Sequence, residues 1–209
     1  MSELLRINNL NFAYEDNNVF EDFCCSIMKN RLTLLVGANG AGKSTLLNII
    51  SGVITVTDKN GDFYWNDKKS SLNNIQDNIA YAQSMPALFF GLSGFENITI
   101  CKLLFNENEC YEKMTLSFCN SLGLSDKDLT KDIAKYSQGM LQKLWLSIIL
   151  TRKKDLYLLD EPFNGLDSFA INYLQEYILG MRKTLLIVSH EPPYKIYENS
   201  IKISIDPVS

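Results

Sequence analysis

Residues 37 to 45 have the types and the spacing to hold a phosphate group. The run Gly-Ala-Asn-Gly-Ala-Gly-Lys-Ser-Thr fits the pattern G-x-x-x-x-G-K-[ST] of a phosphate-binding P-loop. Glycines in such a loop let backbone N–H groups converge on phosphate oxygens, and we expect Lys43 to reach the β- and γ-phosphates and the Ser44 hydroxyl to hold Mg²⁺. The residues predicted to bind the nucleotide here are Gly37, Asn39, Gly40, Ala41, Gly42, Lys43, Ser44 and Thr45.

The segments on both sides of this loop have the pattern that a P-loop requires. The apolar run Leu32 to Val36 precedes it and predicts a strand, and the run Leu46 to Ile50 follows it and predicts a helix. A helix that begins here presents its unpaired N-terminal N–H groups and the positive end of its dipole to the same anion. The context therefore favours a nucleotide site over a glycine-rich turn that fits the pattern by accident.

A second pair of reactive residues, Asp160 and Glu161, follows the apolar run Leu156 to Leu159. A carboxylate at the C-terminal end of a buried strand can complete the Mg²⁺ shell begun by Ser44, so Asp160 is a predicted metal ligand. Glu161 points elsewhere and is predicted to polarise the attacking water. Alone, these residues would indicate a strand that ends at an acidic turn, but the P-loop upstream favours phosphoryl transfer.

Composition narrows the classes of function. The 209 residues are 46% hydrophobic and 21% charged with a formal net charge of -4, as in one large globular domain without an overall basic surface, and no nucleic-acid partner is predicted. Five cysteines without a C-x-x-C pair and a single histidine argue against a zinc site or a disulfide framework, and favour reduced thiols in the cytoplasm. No run approaches the roughly 18 to 20 apolar residues of a membrane span, so membrane association is expected to require a partner.

The remaining pattern predicts an α/β fold with a mainly parallel sheet. A polar turn is expected over Glu15 to Asn18, and a turn over Asp58 to Gly61. Strands are expected at Leu4 to Leu10, Phe23 to Ile27, Leu32 to Val36, Asp62 to Trp65, Ile79 to Ala82, Leu156 to Leu159, Thr184 to Val188 and Ile201 to Ile205. Helices are expected after the P-loop and around Phe95 to Phe105, Glu109 to Leu122, Met140 to Leu150 and Ser168 to Met181.

Further motifs resemble, in order, those of an ATP-binding cassette (ABC) ATPase, and the resemblance covers nearly the whole chain. The matching residues are Tyr14 for the adenine-stacking aromatic, Gln83 for the Q-loop, Tyr136 to Met140 for the signature, Asn164 to Asp167 for the D-loop and His190 for the switch histidine. The resemblance implies a P-loop NTPase that forms one domain of residues 1–209. This domain would contain a RecA-like core at 1–83 and 151–209, an N-terminal antiparallel β subdomain and an inserted α-helical subdomain at about 84–150.

The resemblance also implies a task for each motif, with ATP and Mg²⁺ as ligands. Tyr14 would stack on adenine, Gln83 would reach Mg²⁺ or the lytic water, and His190 would position that water. Ser137 and Gly139 would open a helix that begins near Met140 and faces a second phosphate site. The predicted catalytic residues are Lys43, Gln83, Glu161 and His190, the predicted metal ligands are Ser44, Gln83 and Asp160, and the predicted nucleotide contacts beyond the P-loop are Tyr14, Ser137, Gly139 and Asp167.

In this family the signature acts on the nucleotide of the opposite subunit, so the resemblance implies a head-to-tail sandwich dimer. One P-loop and one signature in one chain make a two-fold homodimer the simplest assembly. ATP would close this dimer and hydrolysis would reopen it.

The signature departs from the family pattern L-S-G-G-Q at two positions. Gln138 replaces the first glycine and Met140 replaces the glutamine, whereas Ser137 and Gly139 are kept. The form with Met140 and Lys143 resembles the ATPases of multidrug and peptide-antibiotic exporters of the bacitracin and daunorubicin type. The substitutions could instead mark a weakened site, but the intact residues at the P-loop and the strand end favour an active enzyme.

Two functions remain open. The first is the ATPase of an ABC exporter, held at the inner face of the cell membrane by an integral membrane subunit whose cytoplasmic helix would bind the apolar cluster Met85, Leu88, Phe89 and Phe90. Packing within the chain explains that cluster equally well. The second is a soluble ABC ATPase, for example in iron-sulphur assembly. An inactive regulatory module would be expected to lack Glu161 or His190.

Overall fold

The computed structural model describes residues 2–15, 17–57 and 59–206. The chain forms two compact units: the first comprises Met1–Tyr81, Lys154–Asp160 and Arg182–Ser209, and the second comprises Ala82–Lys153 and Glu161–Met181. The division into a core at 1–83 and 151–209 and a helical subdomain at about 84–150 stays a prediction.

The chain contains both strands and helices, and residues 94–150 contain helices only. The described strands are β1 (Glu3–Tyr14), β2 (Asn17–Met28), β3 (Leu32–Val36), β4 (Asp62–Trp65), β5 (Lys68–Lys69), β6 (Ile79–Ala82), β7 (Leu156–Asp160), β8 (Thr184–Val188) and β9 (Ile201–Ser204). The described α-helices are α1 (Lys43–Ser51), α2 (Gly94–Leu104), α3 (Cys110–Ser121), α4 (Asp126–Leu129), α5 (Gln138–Leu150), α6 (Ser168–Gly180) and α7 (Tyr194–Glu198).

A four-stranded antiparallel sheet of order β2-β1-β4-β5 begins the first unit. Its first two strands are longer than predicted, because Phe12 pairs with Phe20 and Tyr14 pairs with Asn17. The expected turn over Glu15 to Asn18 was therefore wrong in part: Asn17 and Asn18 belong to β2, and Asp16 lies outside the described residues, as does Asp58 of the second predicted turn. Pairing with β1 satisfies the backbone of Asn17 and Asn18 although their side chains are polar and exposed.

A five-stranded sheet of order β6-β7-β8-β3-β9 forms the centre of the first unit. The pairs β3 with β8, β3 with β9 and β7 with β8 are parallel. Every residue of β7 and β8 is buried, which explains their continuous apolar sequences. The predicted α/β fold with antiparallel and mainly parallel sheets is thus confirmed. Because β7, β8 and β3 are neighbours, the segments that follow their carboxyl ends emerge at one edge of the sheet.

The second unit is helical and contains α2 to α6. Three of its helices lie within one residue of their predicted bounds, whereas α5 begins at Gln138, two residues before the expected start. Helix α4 was not predicted, since four residues are too few for a helical period. The capping box formed by Ser125 and Asp128 is the local signal that identifies it. Among the described residues, no helix combines the length and the apolar character needed to cross a membrane.

Candidate nucleotide-binding site

The loop that connects β3 to α1 wraps its backbone around the Lys43 ammonium group. Lys43 Nζ donates to the carbonyl oxygens of Gly37 at 2.9 Å and Ala38 at 2.8 Å, and the residue is 7% exposed. Gly42 precedes α1 with a φ of 96°, and a Cβ there would lie 2.6 Å from Val19 Cγ1. Conformation and space therefore both require glycine at this position.

The rest of the loop is open to an anion. Asn39 and Gly40 are exposed, Ala41 is buried beneath them, and Thr45 is half-buried in the first turn of α1. Among the residues that the structure describes, no side chain caps the N-terminus of α1, and its first turn carries no acidic residue. The positive end of this nine-residue helix thus remains available to a phosphate.

Asp160 ends β7 beside the P-loop. The Ser44 side chain hydrogen-bonds to its carboxylate, and burial raises the pKa of Asp160 against the opposing effects of that bond and of Lys43 and His190. The ionised carboxylate is therefore poorly solvated, and a nearby cation would stabilise it.

Ser44 and Asp160 offer a hydroxyl and a carboxylate, which are oxygen donors of the kind that Mg²⁺ prefers. This ion usually keeps several waters and takes one or two protein oxygens together with substrate phosphates. A group of three or more His, Cys, Asp or Glu residues that could hold a metal is absent from the described part of the chain. The two side chains therefore fit an ion whose shell is completed by phosphate and water.

His190 lies just beyond the carboxyl end of β8 and is exposed. A cavity of about 150 Å³ is lined by Gly37, Lys43, Ser189, His190 and Tyr197, together with neighbouring residues. Sheet order accounts for this proximity, because β3 and β8 are paired and the P-loop and His190 follow their ends. The first unit thus brings together Lys43, Ser44, Asp160 and His190.

Tyr14 ends β1 and is 46% exposed. Its ring stands edge-on to that of Phe12 with the ring centroids 4.9 Å apart. An exposed ring supported by a second aromatic ring can stack on a base, but its role as the adenine contact stays a prediction.

The predicted site residues of the second unit lie apart in sequence, and several of them are grouped around α5. Ser137 caps this helix, since its Oγ accepts a hydrogen bond from Met140 N at 3.2 Å. A Cβ on Gly139 would lie 2.5 Å from the carbonyl oxygen of Gly165. Glycine at 139 therefore lets the D-loop approach the helix closely, a packing reason that sequence reasoning missed.

Glu161 has a left-handed backbone with a φ of 50° and is 8% exposed. This conformation costs a non-glycine residue about 1–2 kcal/mol. Gln142 Nε2 donates to the carbonyl oxygens of Glu161 at 3.5 Å and Pro162 at 3.4 Å. The strained turn is thus held from α5.

Asp167 caps α6 and is paired with α5. Its Oδ1 accepts a hydrogen bond from Ala170 N at 2.9 Å, and Lys143 Nζ donates to its Oδ2 at 2.5 Å. The Lys143 hydrogen bond, supported by the Ala170 N–H, lowers the pKa of Asp167. Sequence reasoning named Lys143 only as part of the signature form and gave it no structural task.

Gln83 follows β6 and is half-buried at the start of an apolar loop of residues 84–92. Asn97, which is fully buried, holds this loop: its Oδ1 accepts from Phe89 N at 2.7 Å, and its Nδ2 donates to Phe89 O at 3.1 Å and Ser93 O at 2.9 Å. Sequence reasoning gave Asn97 no role. The sequence signal for it was a polar residue at a core-facing position of α2.

The fold and the P-loop site define the class of this protein as a P-loop NTPase. The family model described as "ABC transporter" matches residues 20–164. The chain therefore belongs to the ABC transporter ATP-binding family, and it is an ATPase of that family.

Known relatives support this assignment over most of the chain. The lantibiotic transport ATP-binding protein SrtF of Streptococcus pyogenes is 30% identical over 190 residues, which cover 90% of this chain and 80% of the relative. The zinc import ATP-binding protein ZnuC of Hydrogenovibrio crunogenus is 32% identical over 201 residues, covering 91% and 74%. A solved structure described as the ATP-binding subunit of an ABC transporter is 27% identical with a TM-score of 0.78, covering 90% of this chain and 79% of that one.

Proposed function

We propose that the chain is the ATP-binding and ATP-hydrolysing subunit of an ABC exporter and acts on a separate transmembrane partner. The observation that carries this proposal is the exposed apolar surface of the loop 84–92. Met85 is 80% exposed, Phe90 67% and Phe89 42%, whereas Leu88 is half-buried. Exposed apolar side chains of this size mark a surface that another molecule covers.

A cavity next to this loop gives the surface a shape that suits a helix. It measures about 330 Å³ and is lined by Met85, Leu88 and Phe90 on one side and by Gln138 and Leu141 of α5 on the other, with further residues of the two segments and the D-loop. A cytoplasmic helix of the membrane partner would fill it with apolar side chains. Packing within the chain, the competing explanation, does not cover Met85 or Phe90.

The proposed chemistry is hydrolysis of ATP with the residues in their predicted roles. Lys43 would exchange its two carbonyl partners for the β- and γ-phosphate oxygens, and Ser44 and Asp160 would hold Mg²⁺. Bound Mg²⁺ would neutralise charge on the phosphate oxygens. Glu161 would orient the attacking water and accept its proton, and Gln83 and His190 would position that water.

The second half of each site would come from a second copy of the chain. Ser137 and Gly139 would face the phosphates of the partner copy's ATP, so that binding closes a two-fold dimer and hydrolysis reopens it. In this assembly the chain would be a cytoplasmic protein attached to the inner face of the membrane through its partner.

Export rests on two observations. The signature with Met140 and Lys143 resembles exporter ATPases, and one relative is named for lantibiotic transport. Another relative is named for zinc import. Vesicle transport with the reconstituted partner would decide between the directions, because accumulation on the ATP side would mean import.

The alternative is a soluble ABC ATPase, and copurification separates it from the transporter. The tagged chain, isolated from its native membranes in mild detergent, should carry an integral membrane protein. Recovery of soluble partners alone would refute the transporter assignment.

A matched pair of variants links that partner to the apolar loop. Phe90→Asp should release the membrane protein, because it places a charge on the proposed contact surface. Leu104→Asp is the control, since Leu104 is 64% exposed but ends α2. Equal retention of the partner by both variants would locate its binding surface elsewhere.

A further inference from the structure

Helix α5 presents one face to the segment that runs from Glu161 to Asp167. Gly139, Gln142 and Lys143 are spaced i, i+3 and i+4, which places them on the same side of a helix. Each meets a different point of the segment: Gly139 approaches Gly165, Gln142 binds the Glu161 and Pro162 carbonyls, and Lys143 pairs with Asp167.

We propose that Gln142 and Lys143 are positioning residues that hold the Glu161–Asp167 segment in its catalytic form. The inference rests on the proposed role of Glu161 as the base that activates water. Helix α5 would thus have two tasks. Its N-terminus would contact the nucleotide bound to the other copy, and its side chains would hold Glu161 of its own chain in place.

Gln142 acts at the beginning of the segment. Its side chain is 4% exposed, and its amide N–H bonds reach two successive carbonyl oxygens that follow the end of β7. Glu161 occupies a backbone region that non-glycine residues rarely adopt, so a bond to its carbonyl selects this conformation over more relaxed ones. Without Gln142, the Glu161 carboxylate would sample positions from which water is attacked less productively.

Lys143 acts at the end of the segment. Its side chain is 10% exposed, and the carboxylate it binds is also the N-cap of α6. The ion pair therefore fixes where the D-loop stops and α6 begins. An arginine could make the same contact, because its fork also donates to a carboxylate.

The first experiment compares ATP hydrolysis by Gln142→Met and Lys143→Met with the unmodified chain. Both variants should lower kcat about tenfold, equivalent to about 1.4 kcal/mol, while KM for ATP stays within about twofold. Lys143→Arg should restore most of the rate. A smaller folded fraction would also lower the apparent kcat without changing KM, so kcat is calculated per folded enzyme molecule. A loss that persists on this basis and that Lys143→Arg rescues indicates displacement of the base.

Gln175 and Lys102 of the second unit provide controls for the same chemical changes. Gln175 is 8% exposed and donates to Asn172 Oδ1 at 3.1 Å, so Gln175→Met removes a comparable amide away from the segment. The Lys102 side chain is 13% exposed and pairs with Glu109 at 2.8 Å, so Lys102→Met removes a comparable ion pair. Both controls should keep kcat within about twofold of the unmodified value.

Glu161→Gln separates this inference from the proposal on which it rests. Glu161→Gln should reduce turnover to a slow residual rate, and adding Gln142→Met to it should lower that rate no further, because the base that Gln142 positions is gone. Normal turnover by Glu161→Gln would refute the assignment of Glu161 and the inference with it. Loss of turnover in Glu161→Gln together with a normal kcat in folded Gln142→Met and Lys143→Met would refute the inference alone.

Discussion

Replacing Asn97 by leucine should destabilise the apolar loop while the P-loop stays intact. The two side chains have the same number of heavy atoms, so the substitution removes hydrogen bonds with little change of volume. Asn97 makes three of them, to Phe89 N, Phe89 O and Ser93 O. At about 1 kcal/mol each, the loss is about 3 kcal/mol in the free energy of unfolding.

The structure also predicts where the damage falls. Ser93 O keeps the backbone hydrogen bond from Asn97 N at 3.0 Å, whereas both Phe89 backbone groups lose the bonds that Asn97 makes to them. The backbone amide of Phe89 should therefore exchange its hydrogen much faster in the variant. ATP binding by the isolated chain should persist, and copurification of the proposed membrane partner should weaken.

Urea denaturation and amide hydrogen exchange measure these two effects. Asn120→Leu is the control, because Asn120 is exposed and its side chain donates one hydrogen bond, to Asp126 Oδ1 at 3.0 Å, among the described residues. It should change stability by no more than about 0.5 kcal/mol. Equal destabilisation by the two variants, or unchanged exchange at Phe89, would refute the role of Asn97 as the clamp of this loop.

Two further variants test the nucleotide site and the signature. Asp160→Asn should stabilise the nucleotide-free chain at neutral pH and abolish Mg²⁺-dependent hydrolysis. Because burial raises the pKa of Asp160, its ionised form opposes folding above that pKa. The stability gained by Asp160→Asn should therefore fade as pH falls through the pKa. Thermal melts across pH would contradict this if the stability gain were larger in acid. Gly139→Ala should lower the free energy of unfolding by about 1–3 kcal/mol, because the added Cβ would meet the Gly165 carbonyl oxygen. A melting point equal to that of the unmodified chain would contradict that contact.

Local sequence patterns predicted the elements that form the P-loop part of the site. The strand β3, the glycine-rich loop and α1 are consecutive in sequence, so a single pattern describes all three. The place of Asp160 was also predictable, because a carboxylate that ends a buried strand lies at the edge where P-loop strands end. Strand order, which brings His190 to the same edge, required long-range pairing that a single sequence does not display.

The contacts of the second unit were harder to predict for a physical reason. Gln142 and Glu161 are 19 residues apart, and neither side-chain type indicates the other. The left-handed conformation of Glu161 has no local signal either, since glycine or asparagine would be expected there. The exposure of Met85 and Phe90 could not be predicted either, because an apolar run has the same sequence pattern whether it is buried or exposed to a partner.

The two glycine positions of the signature pattern, occupied here by Gln138 and Gly139, differ in what surrounds them. Gln138 replaces a glycine at the first position of α5, where the residue is exposed and lines the 330 Å³ cavity together with Met85 and Phe90. The next position cannot accept a side chain, because the Gly165 carbonyl oxygen occupies the space that a Cβ on Gly139 would need. Packing against the chain's own D-loop therefore explains why only one of the two signature glycines can be replaced without moving the segment that carries Glu161.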